Sequence, residues 1–196
     1  MRSLEAGPII PLMARIAEAH RRPSAAFATL LRWDETLLLG TRRFRRPWLT
    51  RLARFLTHAG DVASWFLYGV LILSTFEPAA PEAVLRLTIA AGLATLVSQS
   101  LKRGLGRTRP DHAIEGFEAL SGDPDRFSFP SGHAAAAFAV AVAFTGEPYG
   151  LGAAIFLAAL ALSASRVYLG AHYPLDVVAG AVLGCFAGLV TRGLLG

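Results

Sequence analysis

This sequence has a single cysteine and few charged residues. Its one cysteine, Cys185, lies in an apolar run, which excludes an intramolecular disulfide and a cysteine-rich metal site. Charged residues make up 17% of the chain, apolar residues make up 54%, and the mean hydropathy is +0.47. Soluble proteins usually carry more charge and fewer apolar residues. The chain of 196 residues is therefore predicted to form a single membrane-protein domain.

A recognisable nucleic-acid-binding motif is also missing, although the formal net charge is +5. The basic residues lie between apolar runs, where they can meet the membrane surface or a phosphate group. The predicted partners are therefore the membrane and a phosphate-bearing substrate, and not nucleic acid. The sequence leaves the oligomeric state open.

Residues 1–54 mix apolar and charged side chains, which predicts amphipathic helices on or near the membrane surface. Arg32, Asp34 and Glu35 interrupt the best early apolar stretch, and burying three charges in a bilayer is costly. An alternative is an ordinary solvated, charged face. The stretch is followed by six arginines, Arg42, Arg43, Arg45, Arg46, Arg51 and Arg54.

Residues 55–196 are predicted to form an all-α transmembrane bundle of about five spans, or six if residues 24–40 also cross the membrane. Several apolar segments are shorter than the ~20 residues that a span usually needs, so they would have to include flanking residues. Close packing between helices is predicted from the spacing of Gly180, Gly184 and Gly188. The five apolar segments are Val62–Phe76, Ala83–Leu101, Ala134–Thr145, Tyr149–Ala164 and Leu175–Val190.

Three polar clusters fall at the ends of these segments, and the order of the segments places all three on one membrane face. The first cluster, Lys102–Pro110, contains four cations. Arginine can hold two phosphate oxygens at once, and lysine adds a mobile point charge. The alternative is a basic juxtamembrane stretch that attracts anionic headgroups.

The second cluster, Phe129–His133, leads directly into an apolar helix. The unpaired N–H groups of a helix start, with close approach allowed at Gly132, would make a cradle for an oxyanion. Ser131 could instead be only a helix N-cap, and His133 an interfacial polar residue.

The third cluster joins Ser165 and Arg166 to His172 and Asp176. If Pro174 starts a helix, the Asp176 carboxylate can meet the imidazole and fix which ring nitrogen is free. The alternative is a purely structural hydrogen bond between the two side chains.

Together the clusters resemble the signature of the type 2 phosphatidic acid phosphatase superfamily, which also includes glucose-6-phosphatase and the vanadium haloperoxidases. No signature position is missing, and the motifs span Lys102–Asp176. Residues 1–60 resemble no family that can be assigned, and they are the candidate region for determining substrate identity. The pattern reads Lys102, six residues and Arg109-Pro110, then Pro130-Ser131-Gly132-His133, then Ser165-Arg166, five residues, His172, three residues and Asp176.

The resemblance implies a membrane-embedded phosphatase that removes a terminal phosphate from a lipid phosphate without a metal or another cofactor. His172 would be the nucleophile that forms a phosphohistidine, Asp176 would hold its other ring nitrogen, and His133 would act as general acid and base. The phosphate would be bound by Lys102, Arg109, Ser131, Gly132 and Arg166.

The remaining acids of the loop between the first two clusters have no recognisable metal-site spacing. We interpret them as residues that keep the loop solvated. They are Asp111, Glu115, Glu118, Asp123 and Asp125.

Other functions stay open at this point. The same site could pass phosphate to another lipid, which would make the protein a phosphotransferase. A membrane transporter is disfavoured because the charges cluster at helix ends, and the apolar helices disfavour a soluble haloperoxidase. The sequence does not choose between phosphatidic acid, phosphatidylglycerophosphate and polyprenyl phosphates or diphosphates.

The resemblance implies a bacterial inner-membrane protein with its active site at one membrane face. Bacterial members of the family usually work on the outer face. Five spans, however, place the arginines of residues 42–54 on the active-site side, and the positive-inside rule then predicts a cytoplasmic-facing site. A sixth span through residues 24–40 would remove this conflict.

Overall fold

A computed structural model describes residues 24–75, 80–123, 125–146 and 150–195. The described residues contain helices and loops, with one isolated β-bridge and no strand, so the predicted all-α class is confirmed. The helices are α1 (Ala25–Gly40), α2 (Pro47–His58), α3 (Val62–Thr75), α4 (Ala80–Leu105), α5 (Pro110–Ala113), α6 (Gly132–Ala143), α7 (Leu151–Tyr168) and α8 (Pro174–Leu195), with a 3₁₀ turn at Thr41–Phe44.

The chain divides into two compact units, of which the first ends at Thr36 and the second is Leu37–Gly196. Every residue predicted to carry chemistry lies in the second unit. Residues 1–23 lie outside the described residues, so the interfacial character of residues 1–54 stays a prediction. The single-domain organisation of residues 1–196 also stays a prediction.

Three described helices, α4, α7 and α8, are long and apolar enough to cross a membrane. Helices α2 and α3 meet the same criterion as a pair, although they are bent by 67° at the break between them. The described helices thus supply three spans, or four if the bent pair is one span. The predicted number of five or six stays a prediction.

Helix α6 is short and lies inside the bundle. It has 12 residues, and Ala134–Ala141 are all buried, packed against α4, α7 and α8. A Cβ atom at Gly180, Gly184 or Gly188 of α8 would lie less than 3.0 Å from a carbonyl oxygen of the α6 segment. Only glycine allows this approach, so the predicted packing role of the three glycines is confirmed.

The loop of residues 106–131 folds back over the ends of the helices. Its two arms pair where the Arg109 N–H donates to the carbonyl of Arg126 over 3.1 Å. Its middle is tied to the α7–α8 connection, because the Leu120 N–H donates to the carbonyl of Leu169 over 2.7 Å. These bonds bring a polar loop against the helix ends that carry the three clusters.

Candidate active site

The eight predicted site residues lie at the ends of four helices and in the loops that join them. The positions follow from the local sequence, since each motif flanks an apolar run. Lys102 is in the last turn of α4, Arg109 directly precedes α5, Ser131 caps α6, Gly132 and His133 begin α6, Arg166 is in the last turn of α7, His172 is in the α7–α8 connection, and Asp176 is in the first turn of α8.

His172 lies at the buried centre of this region, with only 1% of its surface exposed. An Arg109 Nη1 atom lies 3.4 Å from its Nε2 and donates to the carbonyl of Ala171 over 2.8 Å. Burial and the nearby cations Arg166, Arg109 and Lys102 hold the pKa of His172 well below its usual value. The ring is therefore neutral near pH 7, which a nitrogen nucleophile requires.

Asp176 is fully buried beside the same ring. Its Oδ2 lies 3.7 Å from His172 Nδ1, which is a close approach but too long for a hydrogen bond. His172 Nδ1 is buried and makes no hydrogen bond within the described residues. The Asp176 oxygens instead accept from Arg107 Nη1 over 2.8 Å and from the Tyr173 N–H over 2.9 Å.

Arg107 is a residue whose importance the motif pattern does not reveal. Besides binding Asp176, its guanidinium lies over the ring of Tyr173, 4.0 Å from the ring centroid. The nearest sequence signal is its position two residues before Arg109 in the same basic cluster.

The three predicted phosphate-binding cations are all buried, and each contacts an acid of the loop. Lys102 Nζ lies 2.6 Å from Asp125 Oδ2, and Arg166 Nη2 lies 2.6 Å from Asp123 Oδ1. Arg109 Nη1 lies 3.6 Å from the second oxygen of Asp123. Arg166 also keeps a buried Nε that makes no hydrogen bond within the described residues.

For Asp123 and Asp125, the interpretation as solvated loop residues is wrong. Burial alone would raise the pKa of Asp123, but attraction by Arg166 outweighs it, so the pKa lies below its usual value. The same balance, with Lys102 as the main cation, lowers the pKa of Asp125. Sequence spacing could not show this, because the contacts depend on how the loop folds back. The other three acids, Asp111, Glu115 and Glu118, are exposed.

The segment Ser131–His133 forms the start of α6. The Ser131 side chain accepts from the N–H of Ala134 over 3.5 Å, so the N-cap is observed. The Ser131 N–H donates to the backbone carbonyl of Asp176 over 2.9 Å, which joins the second cluster to the third. The start of α6 is therefore held against the first turn of α8.

His133 contacts a carboxylate, Asp61, that sequence reasoning missed, and Asp61 in turn contacts His58. Nε2 of His133 lies 2.9 Å from Asp61 Oδ1, and Asp61 Oδ2 lies 2.9 Å from His58 Nδ1. The only sequence signal for Asp61 was weak: it follows Gly60 between two apolar stretches. Arg166 and Asp123 interact electrostatically with both His133 and His172, so the two histidines share one site.

A mostly apolar cavity of about 560 Å³ adjoins this site. Ala59 and Leu162 line it, and a Cβ atom at Gly60 would lie 2.5 Å from Leu162 Cδ1 and 3.1 Å from His133 Cδ2. The ion pair of Arg86 and Glu82, with an N–O distance of 2.6 Å, lies along the same cavity. Its apolar walls include Leu56, Trp65, Tyr68, Ile72, Leu87 and Val140.

Within the described ranges, no group of three or more His, Cys, Asp or Glu side chains is arranged to hold a metal ion. The site is instead a set of buried cations around a neutral imidazole, at one end of a bundle of apolar helices. Such a site is suited to transfer of a phosphoryl group.

A family model described as the PAP2 superfamily matches residues 83–195 of the chain. The match contains all eight predicted site residues and more than half of the sequence. The chain belongs to the PAP2 superfamily, and the predicted resemblance is confirmed.

Two curated relatives have names that describe phosphatases. The chain is 40% identical over 102 residues to a lipid A 1-phosphatase of Rhizobium johnstonii, covering 49% of this chain and 41% of that protein. The match therefore spans less than half of that relative's length. The chain is also 30% identical over 182 residues to a decaprenylphosphoryl-5-phosphoribose phosphatase of Mycobacterium tuberculosis, covering 91% of this chain and 95% of that protein.

A solved structure has the same fold. The transmembrane PAP2-type phosphatidylglycerolphosphate phosphatase of Bacillus subtilis superimposes with a TM-score of 0.70 at 25% identity, covering 93% of this chain and 92% of that chain. This likeness, with the apolar helices, confirms the predicted transmembrane bundle. The names of all three relatives agree with the predicted class of enzyme, a lipid phosphate phosphatase.

Proposed function

We propose that this protein is a metal-independent phosphatase that removes the terminal phosphate of a lipid phosphate through a phosphohistidine on His172. The observation that carries the proposal is a buried, neutral imidazole with its Nε2 beside the buried guanidinium of Arg109. Attack on an anionic phosphate needs a neutral nitrogen next to fixed cations. The cations offset the repulsion between the phosphate oxygens and the attacking lone pair, and they orient the phosphate group.

In the first step, Nε2 of His172 forms a bond to phosphorus as the bond from phosphorus to the lipid oxygen breaks. His133 gives a proton to the departing oxygen, so the lipid leaves as an alcohol. The His172 ring becomes positively charged, and its Nδ1–H can then donate to Asp176. The present separation of 3.7 Å requires only a small closure, and catalytic hydrogen bonds commonly tighten when substrate is bound.

The cations stabilise the negative charge that spreads over the nonbridging oxygens during transfer. Lys102, Arg109 and Arg166 are proposed to bind these oxygens, helped by Ser131 and by the N–H group of Gly132. The unpaired Nε of buried Arg166 supports this role, because an unpaired buried donor is costly unless a ligand uses it. Asp123 and Asp125 contact the same cations and so compete with the phosphate for them.

In the second step, water attacks the phosphohistidine. His133, now neutral, takes a proton from the water as the new oxygen–phosphorus bond forms and the nitrogen–phosphorus bond breaks. Inorganic phosphate leaves, and both His172 and His133 return to their starting states. One imidazole thus acts in both directions, a role for which histidine is suited because its ordinary pKa lies near neutrality.

The cavity beside His133 supports a substrate with an apolar tail. It lies between helices whose outward faces expose large apolar side chains, including Phe66, Leu96 and Leu157. The relatives' names share a phosphate carried on a lipid. We include phosphatidic acid, phosphatidylglycerophosphate and polyprenyl phosphates or diphosphates in the proposed substrate class, within a bacterial inner membrane.

The test is phosphate release from a panel of these lipids by detergent-purified protein in excess EDTA. We expect release by the wild-type protein and none by His172→Ala. Brief reaction with a ³²P-labelled lipid should leave label on the protein that is stable to alkali and lost in acid, as a phosphohistidine is. Activity that requires added divalent metal, or that persists in His172→Ala, would overturn the proposal.

The alternative, a phosphotransferase, is tested in the same assay by adding an acceptor lipid with a free hydroxyl group. Hydrolysis predicts labelled inorganic phosphate as the main product. Transfer predicts a labelled second lipid and little free phosphate.

A further inference from the structure

A carboxylate at the break between α2 and α3 joins two imidazoles. Asp61 Oδ1 lies 2.9 Å from His133 Nε2, and Asp61 Oδ2 lies 2.9 Å from His58 Nδ1. Exposure increases along this row, from 23% for the His133 side chain to 42% for Asp61 and 74% for His58. The row therefore runs from the proposed general acid to the protein surface.

The break between α2 and α3 is held in place by hydrogen bonds to its backbone carbonyl groups. The Trp65 side-chain N–H donates to the carbonyl of Gly60 over 3.1 Å, and the Tyr68 hydroxyl donates to the carbonyl of Ala59 over 3.0 Å. The carbonyl of Asp61 accepts the Trp65 backbone N–H over 3.1 Å, which begins α3. These three bonds hold the backbone of residues 59–61 against the start of α3.

The break also lies too close to His133 for most other residues at its centre. A Cβ atom at Gly60 would lie 3.1 Å from His133 Cδ2 and 2.5 Å from Leu162 Cδ1. The hydroxyl groups of Thr57 and Ser165, both buried, are 2.9 Å apart and fix the end of α2 against α7. The close approach of the Asp61 carboxylate to His133 is thus built into the packing.

We propose that Asp61 is a positioning residue that fixes which ring nitrogen of His133 exchanges the catalytic proton, with His58 as its outer partner. The inference rests on the proposed function. An ionised carboxylate only accepts hydrogen bonds, so Nε2 of His133 carries a hydrogen atom in both protonation states. Nδ1 is then the nitrogen that protonates the lipid oxygen and later accepts the proton from water.

The charges around His133 explain why it needs such a partner. The ring interacts with the cation Arg166 and with the carboxylates of Asp61 and Asp123. A nearby cation disfavours the imidazolium that a general acid must be, whereas a hydrogen-bonded carboxylate favours it. Asp61 therefore opposes the effects of burial and of Arg166 on the charged ring, while Arg166 remains available for phosphate.

The test compares two substrates that differ in their need for an acid. The alcohol of a lipid phosphate must be protonated as it leaves, whereas 4-nitrophenolate is a stable anion that needs no proton. For Asp61→Asn we expect kcat/KM to fall by about 10- to 100-fold with the lipid phosphate, and by less than about threefold with 4-nitrophenyl phosphate. The acidic limb of the pH profile with the lipid should also shift.

Two further variants keep the test decisive if Asp61→Asn folds poorly. His58→Gln should show the same pattern with a loss of about threefold, since exposed ion pairs contribute little. Glu115→Gln, a carboxylate-to-amide change at an exposed acid of the loop, should leave the activity on both substrates unchanged. Detergent-extracted yield and thermal unfolding check that each variant folds.

The outcomes separate the inference from the proposed function. Equal losses on both substrates, or no loss on the lipid, in a protein whose activity depends on His172 would overturn only the role of Asp61. No release by the wild-type protein from either substrate would overturn the proposed function, and the role of Asp61 with it.

Discussion

The two histidines of the site are held in opposite environments. His172 is 1% exposed, lies among the cations Lys102, Arg109 and Arg166, and has no hydrogen-bond partner at Nδ1 within the described residues. The His133 side chain is 23% exposed and has a carboxylate on its Nε2. One imidazole is isolated among cations, and the other is connected to the surface.

The difference matches the two tasks that the proposed mechanism assigns. A nucleophile must stay neutral, which burial and nearby cations ensure. An acid and base must gain and lose a proton in every turnover, which a carboxylate partner and contact with solvent favour. Three experiments test this difference. They remove His133, titrate His172, and neutralise Asp125, which lies beside the cation Lys102.

The largest effect is expected from His133→Ala. Turnover of a lipid phosphate should fall by roughly 10²- to 10⁴-fold, the usual contribution of a general acid and base. With 4-nitrophenyl phosphate the first step should survive, so about one equivalent of 4-nitrophenolate should appear in a burst and the phosphoenzyme should accumulate. His112→Ala, which removes an exposed histidine, is the matched control. Absence of a burst would show that His133 is not limited to proton transfer.

A smaller effect is expected in the titration of His172. At pH 6 an ordinary histidine is about three-quarters protonated, whereas we expect His172 to be mostly neutral because burial and the cations lower its pKa. ¹⁵N NMR of histidine-labelled protein in micelles, assigned with His172→Gln, measures this directly. Arg166→Gln should move the titration upward. A wild-type His172 that titrates at the ordinary value would contradict the comparison.

The same shift has a consequence for stability. The unfolded chain binds this proton more tightly than the folded protein does, because the pKa of His172 is lowered on folding. Its contribution to stability is therefore complete above the ordinary histidine pKa and is lost as the pH falls below that value toward the lowered one.

The smallest effect is expected from Asp125→Asn. Asp125 lies 2.6 Å from Lys102, and 36% of its side chain is exposed, so it competes with phosphate without being deeply buried. Removing its charge should lower the inhibition constant of inorganic phosphate by about two- to threefold, in keeping with a partly exposed ion pair. Glu115→Gln, an exposed acid of the same loop, is the control. A weaker affinity for phosphate would mean that Asp125 holds Lys102 in its binding position.

Much of the fold could be predicted because its signals are local. The apolar segments at Val62–Phe76 and Leu175–Val190 correspond to α3 and α8, with bounds that differ by a few residues. Side chains in a helix recur at fixed spacings, so Gly180, Gly184 and Gly188 could be assigned to one packing face before any neighbour was known. The short buried α6 shows the limit, because an apolar run does not reveal whether lipid or protein surrounds it.

The sequence by itself determined which residues stand at the ends of the apolar helices, and with them the cations and histidines of the three motifs. Hydrophobic runs and motif spacing are properties of neighbouring residues, so they survive without a structure. Only the tertiary structure decided what each of these residues meets. His133 and Asp61 are 72 positions apart, and they meet because α2 and α3 bend by 67° at Gly60 and Asp61. Asp123 and Asp125 reach their cations because the loop folds back over the helix ends. Contacts of this kind depend on bends and loop closure, which no spacing along the chain encodes.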